Sequence, residues 1–333
     1  MITRKDVAEK AGVSPAVVSR VINDSGYVAE EKRKRVLKIV KELGYNPHPV
    51  AVSLKKNRTK QILYYVVDLK NYYYMEMYRG MVEYAASKGY VFIIAGYMES
   101  RQIGSLMVDG ILLPSEDVAS NEFLQEVKVP MAIAGYDMPY SLDILRINVK
   151  VSQAVHIAYD HLNDLGHRKI AYASMDTSND RDPRQNAFLR CALDKGVVNP
   201  SSLILGPSKV EKTMGEMNFY EAGTLAANQF LERSLDVSAI LCFNDDIAIG
   251  MLSVLNEQGI SIPDELSIIG IDGHFGGIYT TPALTTVSLK PDLHGRECAR
   301  ALINLIEGNP QDNVPEIVPH LVIRKSTRAN AEK

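Results

Sequence analysis

Over roughly the first sixty residues, apolar side chains recur every three or four positions in short runs; from Ile62 onward they gather into unbroken blocks. The two rhythms predict different structures. A period near 3.6 marks the buried stripe of a helix, whereas a short apolar block bounded by turn formers marks a strand covered on both faces. Val7, Ala8 and Ala11 make the first stripe, with Thr3 and Asp6 spaced as a capping box and Gly12 as a stop. A second helix follows at once. Ser14 is placed as its N-cap and Pro15 at its first position, where a missing N–H does no harm, and Val18, Val21 and Ile22 point inward as far as about Asn23. The third runs from about Glu30 to Leu43, with Val36, Ile39, Val40 and Leu43 at helical spacing and Gly44 after its end. Two short helices joined around a glycine predict a helix-turn-helix, whose second helix can enter a DNA major groove.

The later blocks alternate with helical stretches. "ILYYVVD", "YVFIIAGY", "DGILL", "VPMAIAG", "KIAYAS", "SAILCF" and "LSIIGID" read as strands of the buried parallel kind. Helices are expected over 74–89 and near 151–165, 183–195, 217–232, 246–258 and 291–307. Strand–helix alternation on this scale implies open, doubly wound parallel sheets with right-handed crossovers, and the length suggests two of them.

Charge sharpens the division. Residues 1–60 hold 14 Lys+Arg against 6 Asp+Glu, and the remainder holds 23 against 34, so a basic head precedes an acidic body. Such asymmetry points to a module for a polyanion joined to a body with another task. With no signal-peptide pattern and no apolar run of about 20 residues, the expectation is a cytoplasmic protein without a membrane partner. Cys191, Cys242 and Cys298 are scattered and lack metal-ligand spacing, so reduced thiols, no structural metal and no cofactor are expected.

In doubly wound sheets, ligands bind beyond the carboxyl ends of the strands. Asp68, Tyr136, Asp137, Asn244 and Asp272 stand there. Carboxylates, an amide and tyrosines facing one cleft suit a polyhydroxylated ligand, because hydroxyls both donate and accept while rings cover an apolar face. Taken singly, a polar residue after a strand is more often a turn former or helix N-cap, and Asp245 and Asp246 are read in that duller way.

"DVAEKAGVSPAVVSRVIN", "VAEEKRKRVLKIVKELGYNP" and "AVSLKKNRT" resemble the DNA-binding head and hinge of the lactose/galactose repressor family of bacterial transcription regulators. "HLNDLGHRKIAY", "PRQNAFLRCAL", "AILCFNDDIAIGMLSVLNEQGISIPDELSIIGID", "PALTTV" and "LVIRKST" resemble its effector-binding core, so the similarity covers nearly the whole chain. The resemblance implies a helix-turn-helix head over 1–45, a hinge over 46–60 and a periplasmic-binding-protein-like core over 61–333. Its N-lobe would take about 61–147 and 290–316, and its C-lobe about 148–289 and 317–328. Pro15, Ala16 and Arg20 would read base edges, and Ser19 and Asn23 would touch phosphate. Arg20 has the clearest case, since a guanidinium can bond guanine O6 and N7 together. Thr3, Ser14, Lys32 and Arg33 complete the expected DNA face of the head, with the "KRKR" at 32–35 turned to phosphates. Val50, Ala51 and Leu54 would serve the hinge, Leu54 as a wedge in the minor groove. Arg184, Asn244 and Asp272 match residues that hold a sugar, while Asp68 and the tyrosines Tyr72, Tyr73 and Tyr74 match the lip of the pocket, Tyr73 being the one expected to touch the effector. His167 reads as a structural loop histidine.

The chain also departs from the family pattern. Val17 and Ala29 replace a usual threonine and serine, removing two hydroxyls; His48, Pro49 and Val52 alter the hinge; and "MESRQIGSLM" stands where a longer helix is usual. The C-terminal sequence lacks leucine heptads, so a homodimer rather than a tail-linked tetramer is expected. The partners implied are a palindromic double-stranded operator and a sugar, sugar acid or sugar phosphate. Two other classes compete. An enzyme of similar fold would need a phosphate cradle, and neither G-x-G-x-x-G nor G-x-x-x-x-G-K-[ST] occurs; a sugar-binding protein for transport would need an export signal and no DNA-binding head.

Overall fold

Thr3 and Asp6 bond reciprocally, the Asp6 amide donating to Thr3 Oγ1 at 3.4 Å and the Thr3 amide to Asp6 Oδ2 at 2.7 Å, so helix α1 (Arg4–Ala11) begins with a complete capping box. Gly12 ends it in the left-handed region at φ 62°, where a side chain would be strained. Helix α2 (Pro15–Ile22) starts on the Ser14 hydroxyl, which accepts the Val17 amide. Helix α3 (Glu30–Leu43) has no such cap, because Ala29 stands at its N-cap position. Val7, Ala8, Ala11, Val18, Val21, Val36 and Ile39 close one small core among the three helices, with Ile22, Val40 and Leu43 packed at its edge. This is a helix-turn-helix unit.

The computed structural model describes residues 2–45, 58–66, 68–96, 102–103, 105–114, 127–137, 143–208, 217–310 and 315–330. The chain falls into two units, Met1–Thr59 and Lys60–Lys333. The hinge residues Val50, Ala51 and Leu54 lie outside the described residues, as does much of the shortened segment, of which Ile103, with Val108 just after the segment, is buried in a cluster with Leu63, Ile111 and Ile133.

The second unit holds two sheets. The first comprises β1 (Gln61–Tyr65), β2 (Val91–Ala95), β3 (Gly110–Leu113), β4 (Met131–Tyr136) and β5 (Leu145–Val149) in the order β2-β1-β3-β4-β5, with every pairing parallel. The second comprises β6 (Ile170–Ala173), β7 (Ile204–Leu205), β8 (Ala239–Cys242), β9 (Ser267–Asp272), β10 (Thr285–Ser288) and β11 (His320–Val322) in the order β11-β10-β9-β8-β6-β7. Its pairings are parallel except at β11, which runs antiparallel to β10 and so departs from the all-parallel expectation. Both orders reverse direction within the sheet, and that reversal opens a crevice at the strands' carboxyl ends.

Helices cover the faces: α4 (Tyr72–Ser87), α5 (Val151–Asp164), α6 (Pro183–Asp194), α7 (Phe219–Arg233), α8 (Asp245–Glu257) and α9 (Pro291–Ile306). Although α9 follows the second sheet in sequence, it packs on α4 and on the first sheet, so the chain returns to the first lobe before β11 rejoins the second. The α4–α9 crossing is close enough that a Cβ on Gly80 would lie 1.9 Å from the Asp292 carbonyl oxygen, and one on Gly295 the same distance from that of Met77. Only glycine fits at either point.

Strands β5, β7, β10 and β11 escape the block pattern. The strand β10, "TTVS", is polar yet buried, because the Thr285 amide donates to Ser326 Oγ and the Thr286 hydroxyl to Asp245 Oδ1. Buried hydroxyls with partners do not break a strand, but they erase its apolar signature.

Candidate nucleic-acid interface and effector cleft

On the head, the helix α2 buries Val18 and Val21 and turns Pro15, Ala16, Arg20 and the adjoining Asn23 outward. Arg20 forms no ion pair among the described residues, so its guanidinium is available to a partner. Ser14 is exposed with its hydroxyl on the helix end, and Thr3 is occupied in its capping box. Asn23 Nδ2 donates to the Ser19 carbonyl at 2.8 Å and lies 3.2 Å from Ser19 Oγ, so these two residues form one unit closing the helix. Val17 is half-buried against the core, which suits the loss of its usual hydroxyl. Within "KRKR", Lys32 is exposed, but Arg33 bonds Asp24 at 2.6 Å and Lys34 neighbours Glu30. The run is therefore not one uniform phosphate face.

In the body, the carboxyl ends of β1, β4, β6, β8 and β9 converge on a cavity of about 180 Å³ between the two lobes. Arg184, in the first turn of α6, forms its deepest wall. It is buried, donating through Nη1 to the Phe243 carbonyl at 2.5 Å and through Nη2 to Asp272 Oδ1 at 3.1 Å, while its guanidinium lies 4.4 Å over the Phe243 ring. Burial opposes its charge, but Asp272 and Tyr136 more than offset that, so the arginine stays ionised. Burial pushes Asp272 up to about 6, with Arg184 drawing it back. Asp272 also sits at φ 114°, a backbone conformation rare for a side-chain-bearing residue and one that recurs where surroundings hold a functional group in place.

Asn244 lines the same cavity and caps α8, its Oδ1 accepting the Ile247 amide at 2.9 Å. From the first lobe come Tyr136, Tyr73 and Tyr74. Tyr74 is hydrogen-bonded to Tyr136, and burial pushes it up to about 12. Tyr73 presents only its ring. Burial lowers His294 to about 4 and keeps its ring neutral; Nε2 faces the Ile147 carbonyl at 2.7 Å, which can only accept, so Nε2 carries the proton and Nδ1 accepts the Tyr73 hydroxyl at 2.8 Å.

Two expected residues lie outside the cavity wall. Both carboxylate oxygens of Asp137 accept the Ser152 amide at 3.2 Å, in the first turn of α5, and Asp68 Oδ1 accepts the Lys70 amide at 2.8 Å. Conversely, Asn71, Asp182, Phe219 and Phe243 line the cavity and were not anticipated. Asn71 and Asp182 are themselves N-caps of α4 and α6, so the cap position at the start of the helix that follows a strand was the usable signal.

Asp245 and Asp246 are more than turn formers. Asp245 is buried, accepting the Thr286 hydroxyl and the His274 amide, and burial holds its pKa well above the usual carboxylate range. His274 Nδ1 accepts the Gly276 amide, leaving Nε2 to face Asp246 at 3.5 Å, and its ring packs 4.0 Å from that of Tyr72. That contact joins the two lobes. His167 bonds Ser238 and the Arg328 carbonyl between α5 and β6, a structural role.

A repressor named PurR from Photobacterium profundum is 32% identical over 98% of this chain and 99% of its own length. Residues 3–48 match the bacterial regulatory proteins of the lacI family, and residues 159–327 match a periplasmic binding protein-like domain. The chain belongs to the lacI family. Among solved structures, the regulator CelR in complex with cellobiose is 25% identical with a TM-score of 0.67, covering 98% of this chain and all of that one. A lac repressor dimer bound to operator and an anti-inducer, 22% identical with a TM-score of 0.78 and coverage of 98% and 99%, shares the fold. This lacI-family chain is thus a DNA-binding transcriptional regulator with an effector-binding body, and the enzyme and transport readings fall away.

Proposed function

We propose that the chain acts as a homodimeric repressor that reads a palindromic operator with α2 and the hinge, and that a small ring-shaped effector bound between the lobes controls it. The observation that carries this is the coexistence, in one lacI-family chain, of an outward-facing Pro15, Ala16 and Arg20 with a buried Arg184–Asp272 pair in an interlobe cavity. Arg20 reads guanine, Pro15 and Ala16 make apolar base contacts, and Lys32 supplies phosphate charge. Thr3, Ser14, Ser19 and Asn23 steady the two helices at the groove.

Within the cleft, the aromatic rings cover the faces of the effector while Arg184, Asn244 and Asp272 bond its edge. The cavity, of about 180 Å³, has room for a ring compound. Footprinting of the full chain on its own promoter region, with and without the ligands that raise its melting temperature, tests the reading. A protected palindrome whose occupancy changes with one ligand is expected. Binding with no preference over random DNA would remove the regulator reading.

A further inference from the structure

The cavity walls carry two carboxylates, Asp182 and Asp272, against one cation, Arg184. That cation is already matched by Asp272 at 3.1 Å, and one face of its guanidinium is covered by Phe243. Its remaining N–H groups can donate to a neutral oxygen or ring nitrogen, but they offer no uncompensated positive charge. Asp182 forms no ion pair among the described residues; its carboxylate caps α6, accepting the Gln185 amide at 2.8 Å. Helix N-termini attract anions when their amides are open. Five helices bring their first residues to the cavity wall, and each has an acceptor on a first-turn amide: Asn71 on α4, Asp137 on α5, Asp182 on α6, Asn218 on α7 and Asn244 on α8. Behind the wall, Asp245 and Asp246 are buried, and the neighbouring His274 is held toward its neutral form by burial, with Asp246 and Glu76 pulling the other way. An entering anion would be a further negative charge in a site with none of its positive charge to spare.

On this basis we infer that the cleft selects an uncharged ring compound with hydrogen-bond donors on its edge and discriminates against sugar acids and sugar phosphates. The inference rests on the cleft being the effector site. The Asp182 and Asp272 carboxylates accept from the donor-rich edge, and Tyr73 and Tyr74 from one lobe with Phe219 and Phe243 from the other cover the faces. A neutral monosaccharide and a neutral nitrogen heterocycle share this chemistry.

Calorimetry on the full chain at neutral pH with matched pairs separates the cases: glucose against glucuronate and glucose 6-phosphate, ribose against ribose 5-phosphate, and nucleosides against their 5′-monophosphates. A neutral member is expected to bind, with its anionic counterpart weaker by about 100-fold or more. Asp182→Asn retains a capping oxygen and should narrow that gap at least about fivefold. An anion that binds as tightly as its neutral partner, or a gap unchanged in Asp182→Asn, overturns the inference. Which neutral arm binds tells sugar from heterocycle. A neutral ligand that binds without changing operator affinity would leave charge selection standing and sink the effector reading instead.

Discussion

Asp272 is both the acceptor on which the proposed effector depends and a carboxylate that burial has raised to about 6. Those two properties fix the sign of a pH dependence. Donors from a neutral ligand bond the ionised carboxylate and lower its pKa, so binding releases a proton wherever free Asp272 is protonated. Affinity should therefore rise with pH as Asp272 ionises, through about 6, and level off above about 7. Titrations at pH 5, 6 and 7 check this, and a flat profile would mean that Asp272 does not touch the ligand. On the head, Arg20→Ala should weaken operator binding by about 1–3 kcal/mol and relax choice at one base step; equal loss on all sequences, read by competition binding, would instead assign Arg20 to phosphate. Legibility differs between the two faces. Asn244 and Asp272 stand at strand ends and could be found by position, whereas Arg184 is a charged helix residue whose burial depends on the Asp272 carboxylate and the Phe243 carbonyl opposite it. No local pattern encodes those partners.

At the scale of elements, the helix α3 is the weakest-founded part of the head. Its first-turn amides have no side-chain acceptor at Ala29, although Glu30 and Glu31 suit the positive end of the helix. Ala29→Ser should restore a cap and stabilise the head by about 1 kcal/mol. Slower hydrogen exchange of the Glu31 and Lys32 amides in the full chain would report it; unchanged exchange would show that the N-cap geometry does not receive a hydroxyl. The same balance of local and distant forces explains which elements the sequence announced. The head helices carry their apolar stripes, and α1 and α2 their caps, within a few residues of one another; β6 and β8 are apolar throughout, and β1 and β9 are apolar except at their ends, because sheet and helices cover them. In contrast, β10 owes its burial to Ser326 and Asp245, about 40 residues away on either side. Its identity as a strand lies in those partners, and a window along the chain does not contain them.

For the whole molecule, the question is how an effector in the cleft changes the grip on DNA. A ligand shifts the equilibrium only by binding one arrangement of the lobes better than another, and the coupling is reciprocal: whatever factor the effector applies to operator affinity, the operator applies to effector affinity. Couplings of this kind run to about 1–3 kcal/mol. Tyr72 is well placed to report it. Its ring packs 4.0 Å from His274 across the lobes, yet Asn71, Tyr73 and Tyr74, not Tyr72, line the cavity. An aromatic contact contributes about 0.5–1.5 kcal/mol beyond the area it buries. Tyr72→Ala should therefore change the coupling factor by about 2- to 12-fold, because it removes a contact whose strength depends on how the lobes stand. Operator affinity measured with and without saturating effector, and effector affinity with and without saturating operator, should give one shared factor in the wild type and a second shared factor in Tyr72→Ala. If the variant's factor equals the wild type's, the Tyr72–His274 contact is indifferent to lobe arrangement and does not carry the coupling.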